Sequence, residues 1–323
     1  MQYSMRREEM EFRKYQSLEN HYREKHILKH LQYFPELGRQ RFVVLEKLDG
    51  ANIQLHFENG VIKVGKRSQY IGEIVDGVYT GEDFYGITDI LNRNMEYILN
   101  IDKARKCNSL RLYGEVFGPG IQKRVDYGED RKIAFFDMEV DGELQPFEKL
   151  STFLLGVAGG ASLLVPILGL TESFQEAMEF EVENRKTYYG TGSSIEGVVI
   201  RPQSKNYTMP NNAPFVIKKK SIAFAEKMNT SKKKTERAVD PKIYAIATEF
   251  EPYINKNRVL SIFSKEGEID EPSDIGKYIG LVVQDAQEDF LKDNPQIDIP
   301  DNMKKHIFNK YNKKIVDVLR EYL

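Results

Sequence analysis

The sequence has one cysteine and almost no net charge, and each shortage excludes a class of protein. Cys107 has no partner for an internal disulfide and belongs to no CxxC pair, which excludes zinc knuckles and dithiol redox centres. The 47 Lys and Arg residues against 49 Asp and Glu residues give a net charge of −2, which excludes a uniformly basic nucleic-acid binder. A total near zero still allows a local basic groove, because it says nothing about distribution.

Targeting signals are also scarce. The basic N-terminal residues are not followed by the apolar segment of a secretory signal, and we expect a cytoplasmic protein, in the host cytoplasm if the chain is viral. Residues 153–170 form an 18-residue run without charge, which is the lower limit for a membrane span. Several glycines and Pro166 interrupt this run, so we expect a buried helix, a glycine turn and a buried strand, with no membrane contact.

The hydrophobic pattern predicts an α+β fold in two domains. Strand signals dominate residues 40–220, with an Asn59-Gly60 hairpin turn and one amphipathic helix at 87–100. Helical periodicity follows at 242–255, 257–264, 273–292 and 301–323, and Ser273-Asp274 is a candidate N-cap for the third of these helices. We therefore predict an α+β domain at 1–235 and a small all-α domain at 236–323, connected by the linker Lys232-Lys233-Lys234.

The first candidate for chemistry is Lys47 in the segment E-K-L-D-G-A-N. A lysine at a strand end before an Asp-Gly turn can act as a nucleophile when its surroundings favour the neutral amine. The same pattern also describes an ordinary surface lysine before a turn. The motif alone is therefore weak.

Three further segments place charge on predicted strands. Glu115 lies in the apolar strand L-Y-G-E-V-F-G, and Glu196 begins the run I-E-G-V-V-I-R, although either could be an ordinary solvent-facing carboxylate. In F-V-I-K-K-K-S, Lys218 and Lys220 share one strand face and Lys219 lies on the other. Two ammonium groups on one face repel each other unless an anion lies between them. This pair favours a phosphate site, with a solvated strand end as the alternative.

Together the four segments indicate one reaction. A nucleophilic lysine would attack the α-phosphate of a nucleotide, carboxylates would hold divalent cations, and the paired lysines would offset the phosphate charge as pyrophosphate leaves. The order Lys, Glu, Glu, Lys-x-Lys is far more specific than any single member.

This set resembles motifs I, III, IV and V of the covalent nucleotidyltransferase superfamily, and is most similar to the phage RNA ligase 2 family, which includes the trypanosome RNA-editing ligases. The resemblance covers nearly the whole chain: K-Y-Q-S-L-E-N-H-Y at 14–22, Y-G-E-V-F-G-P-G-I-Q-K-R-V-D-Y-G at 113–128, F-F-D-M at 135–138, K-K-K-S-I-A-F-A-E-K at 218–227, N-R-V-L-S-I-F-S-K at 257–265 and I-G-L-V-V-Q-D at 279–285. It implies an ATP-grasp-like nucleotidyltransferase domain of antiparallel sheets with flanking helices, followed by a helical domain instead of an OB-fold.

The resemblance also implies roles for individual residues. Lys47 would be adenylylated by ATP, Glu46 would read the adenine and Phe136 would stack on it. Asn52 would lie near the α-phosphate or a metal-bound water, and Arg67 would contact phosphate or the RNA end. The remaining roles would be ribose binding by Glu115, Mg²⁺ or Mn²⁺ binding by Glu196 and Asp137, phosphate contacts by Lys218 and Lys220, and RNA binding by Tyr15, Arg258 and Asp285.

The implied function is ATP-dependent ligation of 5′-phosphate and 3′-hydroxyl nicks in duplex RNA, or in RNA/DNA hybrids, by a monomer. Leu45 and Asp49 depart from residues common among family members, namely an arginine and a histidine, and this bears on substrate preference. The alternatives are a DNA ligase, a capping guanylyltransferase and a non-catalytic RNA-binding protein that keeps a decayed ligase fold.

The charge distribution fits a phosphate-binding groove. Residues 201–237 hold ten Lys and Arg residues against only Glu226 and Glu236, whereas residues 238–323 hold 12 basic and 16 acidic residues. The positive charge is therefore concentrated around the paired lysines and the linker, and we expect nucleic-acid affinity to fall with salt.

Overall fold

Two β-sheets with flanking helices, followed by a C-terminal group of helices, make up the fold of the computed structural model. The structure describes residues 10–210, 214–225, 241–297 and 307–323, together with positions 299 and 304. The strands are β1 (Glu19–Asn20), β2 (Phe42–Lys47), β3 (Gly50–Glu58), β4 (Val61–Lys66), β5 (Tyr70–Val75), β6 (Val78–Gly81), β7 (Ser109–Phe117), β8 (Lys132–Val140), β9 (Glu143–Leu144), β10 (Ile167–Thr171), β11 (Gly197–Pro202) and β12 (Ile217–Lys220). The α-helices are α1 (Glu24–Tyr33), α2 (Ile87–Ala104), α3 (Phe147–Leu155), α4 (Phe174–Glu179), α5 (Pro241–Phe250), α6 (Lys256–Glu266), α7 (Ile275–Asp293) and α8 (Asn312–Leu319). The predicted α+β class with a helical C-terminal region is confirmed.

The larger sheet has seven strands in the order β6-β5-β4-β3-β7-β8-β9, and all its neighbours are antiparallel. The predicted hairpin joins β3 to β4. Asn59 has φ +51° and Gly60 has φ +74°, a combination that Asn and Gly tolerate and that matches the strand twist. Helix α2 buries Ile87, Ile90 and Ile98 against this sheet's core, as its periodicity predicts.

The smaller sheet has five strands in the order β1-β12-β11-β2-β10. Strand β2 is apolar on both faces because it lies between two cores. Val43 and Leu45 belong to the core that the larger sheet forms, whereas Phe42 and Val44 belong to the core that includes residues of α1 and α4. Lys47 lies at the last position of this strand, which is held on both sides by pairing with β10 and β11.

The uncharged run at 153–170 folds differently from the prediction in one respect. Helix α3 ends at Leu155 and a short 3-10 turn follows at Gly160–Leu163, as expected, but β10 is not a buried strand. It pairs only with β2 at the edge of the smaller sheet, and Ile167 and Leu170 are 43% and 62% exposed. Among the described residues, no helix combines the length and the apolar character that a membrane crossing requires.

The C-terminal helices have their own core, which includes Phe250, Phe263 and Phe290. Asp274 is the N-cap residue of α7, at the predicted position, but its side chain makes no capping bond, and Pro272–Asp274 form a 3-10 turn. The prediction of a single helix over 301–323 is wrong, because a 3-10 turn at Asn309–Tyr311 precedes α8.

The predicted linker 232–234 and the domain boundary at 235/236 lie outside the described residues. The boundary therefore stays a prediction. The described part of the helical region contacts the first domain at several points: Asn257 Nδ2 donates to the carbonyls of Ala223 and Ala225 at 3.0 Å each, and Tyr85 Oη donates to the carbonyl of Phe263 at 3.1 Å.

Candidate active site

One cleft gathers most of the predicted site residues. It lies where the two sheets meet, with helix α6 at one side. Seven cationic side chains line it: Lys47, Arg67, Arg124, Arg201, Lys218, Lys220 and Lys265. Four carboxylates line it as well: Glu46, Asp49, Glu115 and Glu196. The excess of positive charge suits a polyanionic ligand.

The register of the smaller sheet brings the lysines together. Gly197 pairs with Lys47 on one side and with Lys220 on the other, and Val199 pairs with Lys218. Gly197 is required by space, since a Cβ there would lie 2.4 Å from the carbonyl oxygen of Lys219. Because Gly197 has no side chain, no side chain of β11 separates Lys47 from Lys220 at that position of the sheet.

Glu196 lies between these two lysines as their shared anion. Its Oε2 is 2.7 Å from Lys47 Nζ, and its Oε1 is 2.8 Å from Lys220 Nζ. Burial alone would raise the pKa of Glu196, but Lys220 and Lys47 outweigh it and lower the pKa to about 2. The opposite direction of Lys219 is confirmed, because its ammonium donates to the carbonyls of Met178 and Phe180 at 2.7 and 2.9 Å. Glu196 thus offsets the repulsion between Lys47 and Lys220 within the protein.

The turn after Lys47 is anchored by a buried ion pair that sequence reasoning missed. Arg124 donates through both Nε and Nη2 to the carboxylate of Asp49, which is 2% exposed. Burial, reinforced by Glu196, raises the pKa of Asp49 although Arg124 opposes the shift. The guanidinium also lies 5.0 Å from the ring centroid of Phe224 and bonds Asn257 Oδ1 of α6 at 3.5 Å. Arg124 thus connects the Lys47 turn to the helical domain.

Glu115 and Asn52 face each other across β7 and β3, where they are register partners. Burial raises the pKa of Glu115 to about 8, although Lys47 opposes the shift. Asn52 Nδ2 donates to the carbonyl of Gly114 at 3.2 Å, whereas its buried Oδ1 has no hydrogen-bond partner among the described residues. Gly50 permits the close approach of the strands, since a Cβ there would lie 2.1 Å from the carbonyl oxygen of Val116. These two side chains offer oxygen acceptors to a ligand in the cleft.

A β-bulge directs Phe136 into the cleft. Tyr113 pairs with Asp137 and Gly114 pairs with Phe135, which leaves Phe136 as the extra residue between them. Its ring contacts Tyr15 edge-on at a centroid distance of 5.1 Å. Phe136 and Val199 both line the cleft, so they offer apolar surface to a base. Tyr15 is only 6% exposed, lines the same cleft and packs against the Phe136 ring.

The geometry does not favour the predicted metal-binding role of Asp137. Its carboxylate is 1% exposed, accepts a hydrogen bond from Tyr15 Oη at 2.8 Å and lies 2.9 Å from Arg201 Nη1. It does not line the cleft. The cation already beside it is an arginine, so Asp137 fits a structural ion pair and not a metal ligand.

Glu46 and Arg67 both line the cleft, and each also forms hydrogen bonds with other residues of the protein. Glu46 accepts from Thr187 Oγ1 at 2.6 Å and from the Tyr188 N–H at 3.0 Å, and burial raises its pKa. Arg67 Nη2 donates to Ser17 Oγ at 2.9 Å. The predicted adenine contact of Glu46 and phosphate contact of Arg67 stay predictions.

Arg258 and Asp285 do not face the cleft. Arg258 is fully buried in the helical domain, where Nη1 forms an ion pair with Asp285 and bonds Asp289 at 3.0 Å. A direct contact between the Arg258 guanidinium and RNA is therefore not favoured. The cleft is instead reached by three neighbours in the same segment, Ser261, Ser264 and Lys265. Their spacing places them on one face of α6, and this polar stripe was the signal in the sequence that could have identified them.

Glu196 is a candidate ligand for a divalent cation in this cleft. Among the residues that the structure describes, no three His, Cys, Asp or Glu side chains form a metal cluster. Mg²⁺ usually binds through one or two carboxylates, waters and substrate phosphates. Glu196 and the unpaired Oδ1 of Asn52 fit that pattern, since both belong to the cleft.

Comparison with known proteins gives the same family across both regions. Residues 40–220, more than half of the chain, match the family model described as RNA ligase, and residues 239–320 match the model described as T4 RNA ligase 2 C-terminal. Solved structures of Naegleria gruberi RNA ligase are similar: a variant with ATP and manganese has 20% identity over 65% of this chain and 56% of that chain, with TM-score 0.48. The complex with pyrophosphate has 19% identity over 66% of this chain and 57% of that chain, with TM-score 0.47. This chain therefore spans little more than half the length of those proteins. By the two family models, the chain belongs to the T4 RNA ligase 2-like family of RNA ligases within the covalent nucleotidyltransferase superfamily.

Proposed function

We propose that this chain is an ATP-dependent RNA ligase that seals 5′-phosphate and 3′-hydroxyl nicks in duplex RNA through a lysyl-AMP intermediate. The observation that carries the proposal is the grouping of Lys47, Glu196 and Lys220 at one end of the cleft. Family membership supports an RNA substrate. The RNA ligase of Naegleria gruberi has been solved with ATP and manganese, and with AMP and manganese.

In the first step, the neutral Lys47 amine attacks the α-phosphorus of ATP, pyrophosphate leaves, and the attacking nitrogen loses its proton. The RNA 5′-phosphate then attacks the AMP phosphorus, the bond from phosphorus to Lys47 Nζ breaks and the lysine is released, and finally the 3′-hydroxyl displaces AMP as the phosphodiester forms. The protein contributes positioning and electrostatics at phosphorus. Lys218 and Lys220 offset phosphate charge, and Glu115 accepts a hydrogen bond from a ribose hydroxyl.

Phe136 and Val199 supply the apolar surface that orients the base in this scheme. A bound Mg²⁺ or Mn²⁺ would neutralise phosphate charge, with Glu196 and Asn52 as the residues that hold it through its water shell. Glu196 is suited to this role because its carboxylate already binds ammonium groups. A metal ion bound near it would replace one positive partner with another.

Nicked duplex RNA is the proposed substrate, with nicked RNA/DNA hybrids as a second one, and the protein is proposed to act as a cytoplasmic monomer. Size-exclusion chromatography with light scattering would contradict this point by giving a dimer mass.

The test is labelling with radioactive ATP followed by sealing of matched nicks. We expect ATP to label the wild type, GTP not to label it, and Lys47→Ala to abolish labelling. Nicks made of RNA only, of RNA and DNA, and of DNA only then report the substrate. Labelling by GTP would indicate a capping enzyme, preference for the DNA nick would indicate a DNA ligase, and no labelling at all would indicate a non-catalytic RNA-binding protein.

A further inference from the structure

Helix α6 has one buried face and one polar face. Arg258, Val259, Ile262 and Phe263 are buried within the helical domain. Asn257, Ser261, Ser264 and Lys265 follow each other at helical spacing on another face. The last three line the cleft that also holds Lys47. The helical domain therefore contributes a polar wall to the site.

Lys265 is held in place from behind. Its ammonium donates to Asp285 Oδ1 at 2.5 Å, and the other oxygen of Asp285 is bound by Arg258. Arg258 is in turn fixed by Asp289 at 3.0 Å and by the carbonyl of Tyr253 at 2.9 Å. Because an ammonium has three donors and Asp285 takes one, Lys265 keeps donor capacity for a further acceptor. Its side chain is 23% exposed.

The charge of the cleft lining favours an anionic ligand near Lys265. Seven cationic side chains but only four carboxylates line it. A positive excess in a partly buried cleft is costly until an anion enters. Phosphate groups are the anions that the proposed reaction brings there.

We propose that Lys265 contacts a phosphate group bound in the cleft, and that Asp285 and Arg258 are positioning residues that aim it. This inference rests on the proposed ligase function and deepens it. The phosphate can come from the triphosphate of ATP or from the 5′ end of the RNA. Both sources use the same chemistry, a cationic donor facing anionic oxygens.

Three single-turnover measurements on the full chain distinguish the sources. The first follows lysyl-AMP formation from ATP and magnesium. The second follows transfer of AMP from the isolated lysyl-AMP protein to a 5′-phosphorylated RNA nick. The third follows sealing of a nick that carries the adenylylated 5′ end. The variants are Lys265→Ala, Lys265→Arg and Asp285→Asn. The matched control is Lys256→Ala, which removes a lysine of the same helix that pairs with Glu321 and is 53% exposed.

We expect Lys265→Ala to slow one of the first two measurements about 10-fold to 100-fold, with the third less affected. Loss in the first identifies the ATP phosphates, and loss in the second identifies the RNA 5′-phosphate. Lys265→Arg should restore part of the rate, because it returns a cation at that position. Asp285→Asn should slow the same step by a smaller factor, and Lys256→Ala should slow none.

Thermal unfolding of each variant separates this role from a structural one. Equal slowing of all three measurements together with a lower melting temperature would overturn the proposal, as would wild-type rates for Lys265→Ala in the first two measurements. If the wild type itself forms no lysyl-AMP, the proposed ligase function fails. If the wild type forms it and Lys265→Ala behaves identically, only the role of Lys265 fails.

Discussion

The Nζ atom of Lys47 lies 2.7 Å from Oε2 of Glu196, which itself is 2% exposed. The carboxylate holds Lys47, the proposed nucleophile, and Lys220 in one place before any nucleotide is bound. Because Lys220 also binds this carboxylate, Lys47 can move away from it without leaving an unpaired buried negative charge. The arrangement thus keeps the nucleophile ordered and still releasable.

Removing this charge should impair the first chemical step. We expect Glu196→Gln to slow lysyl-AMP formation about 100-fold, because Lys47 and Lys220 then repel each other and the site loses the carboxylate that is proposed to face the metal. Rapid-quench labelling with ATP measures the rate. Glu172→Gln, which removes an exposed carboxylate paired with Arg41, is the matched control. Wild-type rates in Glu196→Gln would contradict the role assigned to the carboxylate.

Glu115 should make stability depend on pH. Burial raises its pKa from the ordinary 4.5 to about 8. Between these values the folded state binds a proton that the unfolded chain has lost, so the free energy of unfolding falls as pH rises through that window. The slope contributed by Glu115 is at most about 1.4 kcal/mol per pH unit.

The measurement is urea unfolding at pH 5, 6.5 and 8 for the wild type and for Glu115→Gln. We expect the variant to lose less stability than the wild type over this range, because its amide does not titrate. Glu143→Gln, an exposed position on β9, should keep the wild-type dependence. Parallel curves for wild type and Glu115→Gln would show that the pKa is not raised.

Replacing only one partner of the Arg124–Asp49 ion pair should destabilise the folded state. Arg124→Ala leaves the buried Asp49 carboxylate without its counter-charge, and we expect the free energy of unfolding to fall by about 3–5 kcal/mol. The double variant Arg124→Met with Asp49→Asn removes both charges and should recover part of this loss. Chemical denaturation of the single and double variants gives the comparison. A double variant less stable than Arg124→Ala would contradict this explanation.

The sequence was sufficient for the features that local pattern controls. The Asn59-Gly60 hairpin and the apolar face of α2 are confirmed, because each depends on residues close in the chain. The alternation of Lys218, Lys219 and Lys220 is confirmed for the same reason, since strand geometry fixes it.

Features set by distant partners could not be predicted. The run at 167–171 is apolar like a buried strand, but its burial depends on whether a neighbour covers it, and β10 is at an edge. The bulge that turns Phe136 into the cleft is a register difference between β7 and β8, to which no single residue points. Arginine is a residue type that often binds phosphate, but Arg258 is buried and forms ion pairs with Asp285 and Asp289 of α7.

The Glu46 carboxylate offers a final test, because its two oxygens bind the 187–188 segment while a base contact is also predicted for it. Thr187→Val removes the donor at 2.6 Å from Oε1, which leaves one oxygen of a buried carboxylate unsatisfied. We expect the free energy of unfolding to fall by about 1–3 kcal/mol. Thr80→Val, at an exposed position on β6, should change it by less than about 0.5 kcal/mol.

Comparing nucleotide preference then separates the two roles of Glu46. If the carboxylate mainly anchors the segment, Thr187→Val and Glu46→Gln should both weaken ATP labelling and leave the preference for ATP over GTP unchanged. If the carboxylate also reads the base, only Glu46→Gln should reduce that preference, because an amide presents a donor where the carboxylate presents an acceptor. Competition labelling with both nucleotides measures the ratio. A Thr187→Val protein with wild-type stability would show instead that this hydrogen bond contributes nothing to holding the cleft together.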